Sequence, residues 1–156
     1  MSKISMLILL GVFCCMLGCA SVPLQTPEIT ASAKEFATPP PDKAGLYIYR
    51  SSFVGQALKK DIWIDGECVG QSANDVFFYR EVSGDREHTI ATESEFSPNE
   101  LKIMTQSGMN YFIKQYLKMG AFVGGAGLEI IDPETAQEII VKLNMAVGGD
   151  CGSPTP

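Results

Sequence analysis

The hydrophobic pattern changes character twice along the chain. Residues 4–17 form an almost wholly apolar run, and residues 20–43 carry only scattered apolar side chains among prolines and small polar residues. From Gly45 onward the apolar residues fall into short runs: LYIYR (46–50), IWI (62–64), VFFYREV (76–82), HTIAT (88–92), LKIMT (101–105) and YFIKQYL (111–117). These runs are rich in β-branched and aromatic residues, which suit a pleated, half-buried surface. Turn signals separate them: Asp65-Gly66, Ser83-Gly84-Asp85, Ser97-Pro98-Asn99 and Ser107-Gly108. Asp65-Gly66 inside IWIDGECVG is the strongest hairpin signal, because a two-residue turn of this type needs positive φ at both positions. Short strands at this spacing predict a mainly β fold, a single antiparallel β-sandwich of about seven strands.

The pattern ends differently. In IDPETAQEIIVKLNMAV, Asp132 can cap a helix, Pro133 suits its first position and Glu134 its first turn. Ala136, Ile139, Ile140, Leu143 and Val147 then share one helical face, which predicts a C-terminal helix over 132–147. Alternation of Ile139, Val141, Leu143 and Met145 also fits a strand, and the start signals favour the helix. The domain is expected to span 44–147, with 148–156 as a flexible tail.

Strand alternation places Leu46, Ile48, Ile62, Ile64, Val76 and Phe78 on one face, and Tyr47, Tyr49, Trp63, Phe77 and Tyr79 on the other, if the strands are neighbours in register. A sandwich buries only one face of each sheet. The aromatic face is therefore either covered by the C-terminal helix or open as a recognition surface, since Tyr and Trp offer rigid area with a polar handle for a glycan or a protein.

The beginning of the chain bears on where it works. MSKISMLILLGVFCCMLGC has one charge, Lys3, before an apolar segment that ends in small residues, the form of an export signal. Leu17-Gly18-Cys19 resembles the cleavage site of a bacterial lipoprotein signal, with Met16 where leucine is more usual. Cys14 and Cys15 have no small residue before them and are not read as anchors. The rival, an uncleaved transmembrane helix from Ile4 to Val22, lacks a stop-transfer signal. The resemblance implies a signal peptide over 1–18 and lipidation of Cys19, with two or three acyl chains giving a durable membrane anchor at ~0.8 kcal/mol per buried methylene. Ala20 after the anchor implies the outer membrane, facing the periplasm, in preference to the inner membrane. Residues 19–43, with Pro23, Pro27 and Pro39–Pro41, are expected to be a lipidated cysteine and an extended tether, against the alternative of an edge segment docked on the domain.

Cleavage before Cys19 would leave 138 of the 156 residues, one domain's worth. All 18 acids and 11 of the 12 bases lie in that part, for a formal charge of −7. With no block of lysine or arginine, nucleic acid is excluded as a partner. The expected partners are the membrane, through the N-terminal lipid, and an envelope protein or glycan.

LYIYR, IWIDGECVG, FFYREVSGDREHTI and SGMNYFIKQY together resemble an uncharacterised family of short bacterial lipoproteins grouped as a domain of unknown function. The middle part also resembles PEGA-type β-sandwich modules, in which a strand-Asp-Gly-x-x-x-Gly hairpin is followed by a glycine turn and a strand begun by histidine. SGDREH replaces the simpler proline-glycine turn of those modules. The resemblance covers most of 44–145 and implies a fold, not a reaction.

Candidate chemistry is sparse. His88 is the only histidine, so a triad or a zinc site would have to use it. Asp65 with Glu67, and Glu93 with Glu95, are i, i+2 acid pairs that share a strand face and could approach a cation or a sugar, or hydrolyse a glycosidic bond if set across a cleft. No catalytic residue, metal ligand or cofactor is assigned from them. Cys68 and Cys151 are the cysteines remaining after Cys19, and an oxidising periplasm favours a disulfide between them over two free thiols. MGAFVGGAGLEI (119–130) fails both the dinucleotide and the phosphate-loop patterns; its Gly124–Gly127 part is read as a flexible hairpin tip or a kinked strand, with a mobile apolar lip as the functional alternative. The expected role is a non-catalytic binding or scaffolding module of the cell envelope, against a small hydrolase or a small-ligand carrier.

Overall fold

The computed structural model describes residues 20–93, 99–118 and 125–152. Among these residues are nine strands in two sheets and two short helices. In chain order they are α1 (Pro27–Ala33), β1 (Lys43–Arg50), β2 (Lys60–Ile64), β3 (Glu67–Ser72), β4 (Val76–Ser83), β5 (Glu87–Thr92), β6 (Asn99–Met104), β7 (Asn110–Lys118), β8 (Gly125–Ile131), α2 (Pro133–Ile140) and β9 (Asn144–Met145). One sheet has the order β8-β7-β1-β4-β9 and the other β3-β2-β5-β6. No helix of the described residues is long and apolar enough to cross a membrane.

The β2–β3 hairpin turns on Asp65 and Gly66, at φ 51° and 82°, the backbone that a tight two-residue connection requires. The smaller sheet is antiparallel throughout. The larger sheet departs from the expected all-antiparallel arrangement, because β1 pairs β7 in parallel and β4 pairs β9 in parallel. The reason is the route of the chain. After β1 it crosses to β2 and β3, returns for β4, crosses again for β5 and β6, and re-enters beside β1 as β7. A strand returning from the other sheet is freed from the antiparallel sense that a tight hairpin imposes.

The main core combines Leu46, Ile48, Val76, Phe78 and Ile113 of the larger sheet with Ile62, Ile64, Val69, Ile90 and Ile103 of the smaller one. It encloses a polar chain. Ser72 Oγ donates to Gln115 Oε1, Gln115 Nε2 to Thr92 Oγ1 at 2.6 Å, and Thr92 Oγ1 to the Asp61 carbonyl at 2.9 Å. These side chains are buried and mutually satisfied, the condition under which a buried polar network specifies a core rather than weakening it.

Three expectations are corrected. Residues 20–43 are not an extended tether. The Gln25 N–H donates to the Met145 carbonyl at 2.8 Å, the Val147 N–H to the Pro23 carbonyl at 2.9 Å, and Leu24 bridges Ala146. Thr26 then caps α1, Pro27 opens it, and Pro39 is buried. The C-terminal helix stops at Ile140 instead of 147, and Asn144–Met145 joins the edge of β4 as a strand. Both sequence patterns of this stretch are used in turn, since the β4 edge offers unpaired backbone groups that a strand satisfies and a helix does not. The start of the presumed tail is docked: Gly149 pairs with Gly70, and the Gly152 N–H donates to Asp61 Oδ2 at 2.6 Å.

Candidate functional site

The aromatic face has its own hydrophobic layer. Tyr47, Tyr49, Phe77 and Phe112 are buried with Ala136 and Ile140 of α2, Leu143 and Met145, and Ala33, Phe36, Tyr79 and Ile139 pack against them. Tyr47 is the hub. Its ring centroid lies 4.6 Å from Tyr79, 5.1 Å from Phe112 and 5.3 Å from Phe36, and its hydroxyl donates to the Ala33 carbonyl at 2.8 Å. Burial pushes the Tyr47 hydroxyl far above its ordinary value, with Tyr79 adding to it. Burial, then Glu129 and Asp132, pushes Tyr49 up to about 12. Burial, then Glu81, pushes Tyr79 up to about 12. These phenols stay protonated and serve packing or recognition, not proton transfer.

An open five-residue platform is therefore not formed. Tyr47, Tyr49 and Phe77 are covered by both helices, because a sheet face this apolar is stable only beneath another layer. Trp63 belongs to the other sheet, in β2 opposite Cys68 and Ala91. What remains accessible is a cavity of about 360 Å³ where α1 crosses the face, lined by Ile29, Ser32, Ala33, Tyr47, Tyr79 and Met145 among others. Its floor is aromatic, and Ser32, Thr38 and Glu81 give it polar groups.

The acids and the histidine form a different arrangement. His88 is 3% exposed. Its Nδ1 lies 2.6 Å from Asp65 Oδ2, and its Nε2 lies 2.8 Å from the Ser83 carbonyl oxygen, to which it can only donate. Asp65 Oδ1 also accepts from the Thr89 N–H at 2.9 Å. The pair thus clamps the β2–β3 turn to β5. Glu93 accepts from the Asp61 N–H at 3.3 Å and stands 4.0 Å from Lys60 Nζ, while Glu67 is exposed. Glu95 lies outside the described residues, as does the 119–124 part of the glycine-rich segment. Gly125 and Gly127 of that segment lie in β8, where a Cβ on Gly127 would meet the Tyr116 ring at 2.5 Å. Beside the clamp is a cleft of about 220 Å³ whose lining mixes Arg80 and Arg86 with Glu67 and Glu81. Among the described residues no three His, Cys, Asp or Glu side chains converge to hold a metal ion. Cys68 and Cys151 are joined by a disulfide that fastens the C-terminal segment to β3.

Partial burial works to raise the Asp65 carboxyl, but the Thr89 amide and the His88 ring outweigh it and hold the group below its ordinary value. A carboxyl depressed in the fold stabilises above its unfolded value, about 3.9, and that contribution is lost as pH falls through the folded value. Asp65→Asn is expected to lower the urea midpoint at pH 7, and the two chains are expected to converge as the medium is acidified below about pH 4. Parallel midpoint curves down to pH 2.5 would show that the carboxylate charge contributes nothing.

Ile29, Ser32, Ala33 and Thr38 were not singled out by sequence reasoning. The signal was present: Thr26-Pro27-Glu28 has the same cap, proline and acid order as Asp132-Pro133-Glu134, and the Thr26 hydroxyl caps α1 as the Asp132 carboxylate caps α2.

These features define a small two-sheet β domain with an aromatic-floored cavity beneath α1 and a histidine that acts as a structural clamp. The chain belongs to the family described as "Protein of unknown function (DUF2846)", whose model matches residues 40–126. It is also 52% identical over 139 residues to a protein of Haemophilus influenzae named "Uncharacterized protein", covering 89% of this chain and 82% of that one. No solved structure matches the chain.

Proposed function

We propose that this protein is a lipid-anchored, periplasm-facing module of the outer membrane that binds an envelope partner without catalysing a reaction. The apolar leader ending in Leu17-Gly18-Cys19 supports the anchored location, with Cys19 lipidated and residues 1–18 removed. The two sheets packed on a common core, with an Asp-Gly hairpin between β2 and β3 of the smaller one, support the reading of the fold as a PEGA-like β-sandwich. The observation that carries the non-catalytic reading is the engagement of His88 at both ring nitrogens, which leaves no ring nitrogen to serve a substrate. Asp65 is bound to His88 and Thr89, Glu93 to the Asp61 amide beside Lys60, and Glu67 is exposed, so these three acids do not favour a glycan hydrolase. The cavity beneath α1 is the favoured binding site, sized for an apolar or aromatic group of the partner.

The test pairs location with capture. Cys19→Ser is expected to move the protein from the membrane to the soluble periplasmic fraction, with the acyl mass missing from its N-terminal peptide. A photo-crosslinker at Tyr79, at the cavity mouth, is expected to capture a defined envelope protein or glycan in cells. Adducts confined to residues 27–38 of the same chain would mean that α1 closes the cavity and that binding occurs elsewhere.

A further inference from the structure

The loop joining β1 to β2 carries the most exposed large apolar side chain of the described residues. Phe53 is 90% exposed, and Val54 and Leu58 are 42% and 37% exposed. One exposed apolar residue would be ordinary, but this loop is held in shape by an unusual group. Arg50, 0% exposed, donates from Nη1 to the Leu58 carbonyl at 2.7 Å and from Nη2 to the Gly55 carbonyl. The Ser52 N–H donates to Asn74 Oδ1 at 2.8 Å, and the Leu58 N–H to the Gly55 carbonyl at 2.9 Å. Burying a guanidinium is costly, and here it is used to fix two loop carbonyls while the apolar tip faces outward.

The start of the described chain lies against the same loop. The Ala20 N–H donates to the Gln56 carbonyl at 3.2 Å, and Val22 and Pro23 line a recess with Lys59. Cys19 is one residue before Ala20, and consecutive Cα atoms are ~3.8 Å apart. An acyl group on Cys19 would therefore enter a bilayer beside Phe53, with no slack chain between anchor and domain. The charge of the segment agrees: residues 50–60 hold Arg50, Lys59 and Lys60 and no acid, in a protein that is acidic elsewhere. Of these only Lys59 is exposed, since Arg50 is buried and Lys60 faces Glu93, and an exposed base next to an apolar tip suits the anionic headgroup region of a membrane.

We propose that the 52–58 loop is a membrane wedge, with Phe53 and Val54 entering the interface of the bilayer that holds the Cys19 lipid and Lys59 at the headgroups. The loop and the anchor then act as two adjacent contacts that fix the orientation of the domain on the membrane. The proposal rests on the reading of Cys19 as the lipidated residue.

The experiment uses Phe53→Trp, with the wild-type chain, whose Trp63 is 6% exposed, as background. Two forms are bound to phosphatidylethanolamine–phosphatidylglycerol vesicles with brominated acyl chains: the acylated protein purified from cells, and the mature Cys19→Ser protein held at its N-terminus by a histidine tag on a nickel-chelating lipid. Position 53 is expected to shift to shorter emission wavelength and to lose roughly half its intensity or more, as for a ring ~5–10 Å below the headgroups. Met104→Trp, at an exposed site on β6, is expected to stay unquenched. An unshifted, unquenched position 53 in both forms, or equal quenching at 104, overturns the wedge. Quenching in the tethered form from a protein that carries no acyl mass in cells supports the wedge while removing the lipidation reading.

Discussion

Tyr47→Ala is expected to destabilise the domain by about 3–5 kcal/mol, the range for removing a large buried aromatic ring. Tyr47 is 2% exposed and touches four other rings, Phe36, Phe77, Tyr79 and Phe112. Those contacts join the larger sheet to the segment after α1, so the cavity left behind cannot close without moving α1. The variant is expected to lose near-ultraviolet circular dichroism and to expose α1 to proteolysis before it unfolds. Tyr47→Phe keeps the ring and removes only the hydroxyl that bonds the Ala33 carbonyl, at a cost of about 1 kcal/mol. A urea titration in which Tyr47→Ala loses under about 1 kcal/mol would mean that the face is solvated and that α1 is not docked there.

The second large effect concerns the covalent link. Cys68 and Cys151 are 83 residues apart in sequence, so their bond restricts a long loop in the unfolded chain. The chain-entropy expression gives about 4.5 kcal/mol for a loop of this length, and native disulfides typically contribute about 2–4 kcal/mol, equivalent to roughly a 10 °C shift in Tm for a domain of this size. Cys68→Ala/Cys151→Ala is expected to show that loss, and thiol reduction of the wild type is expected to match it. The change is also local, because the bond holds the strand end where Gly149 pairs with Gly70 and the Gly152 N–H meets Asp61. Amide exchange at Gly149 and Gly152 is expected to rise first. An unchanged Tm under reducing conditions would show that the C-terminal segment is held by its hydrogen bonds alone.

The two effects differ in what the sequence discloses. Leu46, Ile48, Ile62, Ile64, Val76 and Phe78 follow from strand alternation and all lie in the core between the sheets. Alternation could not tell that Trp63 belongs to a different sheet from Tyr47 and Phe77, because period two assigns a face within a strand but not a neighbour for it. The α2 start was legible from Asp132-Pro133-Glu134. The same signal at Thr26-Pro27-Glu28 was obscured by the prolines around it, whose composition also describes a free linker. A helix of seven residues has too few turns to display a periodic apolar face.

By itself the sequence determined six of the nine strands of the described residues, the Asp-Gly turn, the inward face of β1, β2 and β4, and an N-terminal segment that ends in Gly18-Cys19. These are local properties, set by side-chain period, by the backbone freedom of Asp-Gly turns, and by the length of an apolar run. The tertiary structure decided which strands pair and in which sense, what covers the aromatic face, and where the chain after Cys19 goes. It turned a presumed tether into a docked segment that ends beside the Phe53 loop. Those outcomes depend on contacts between residues far apart in sequence, such as Gln25 with Met145 and Ala20 with Gln56. They form only when both surfaces exist, so no window along the chain contains them.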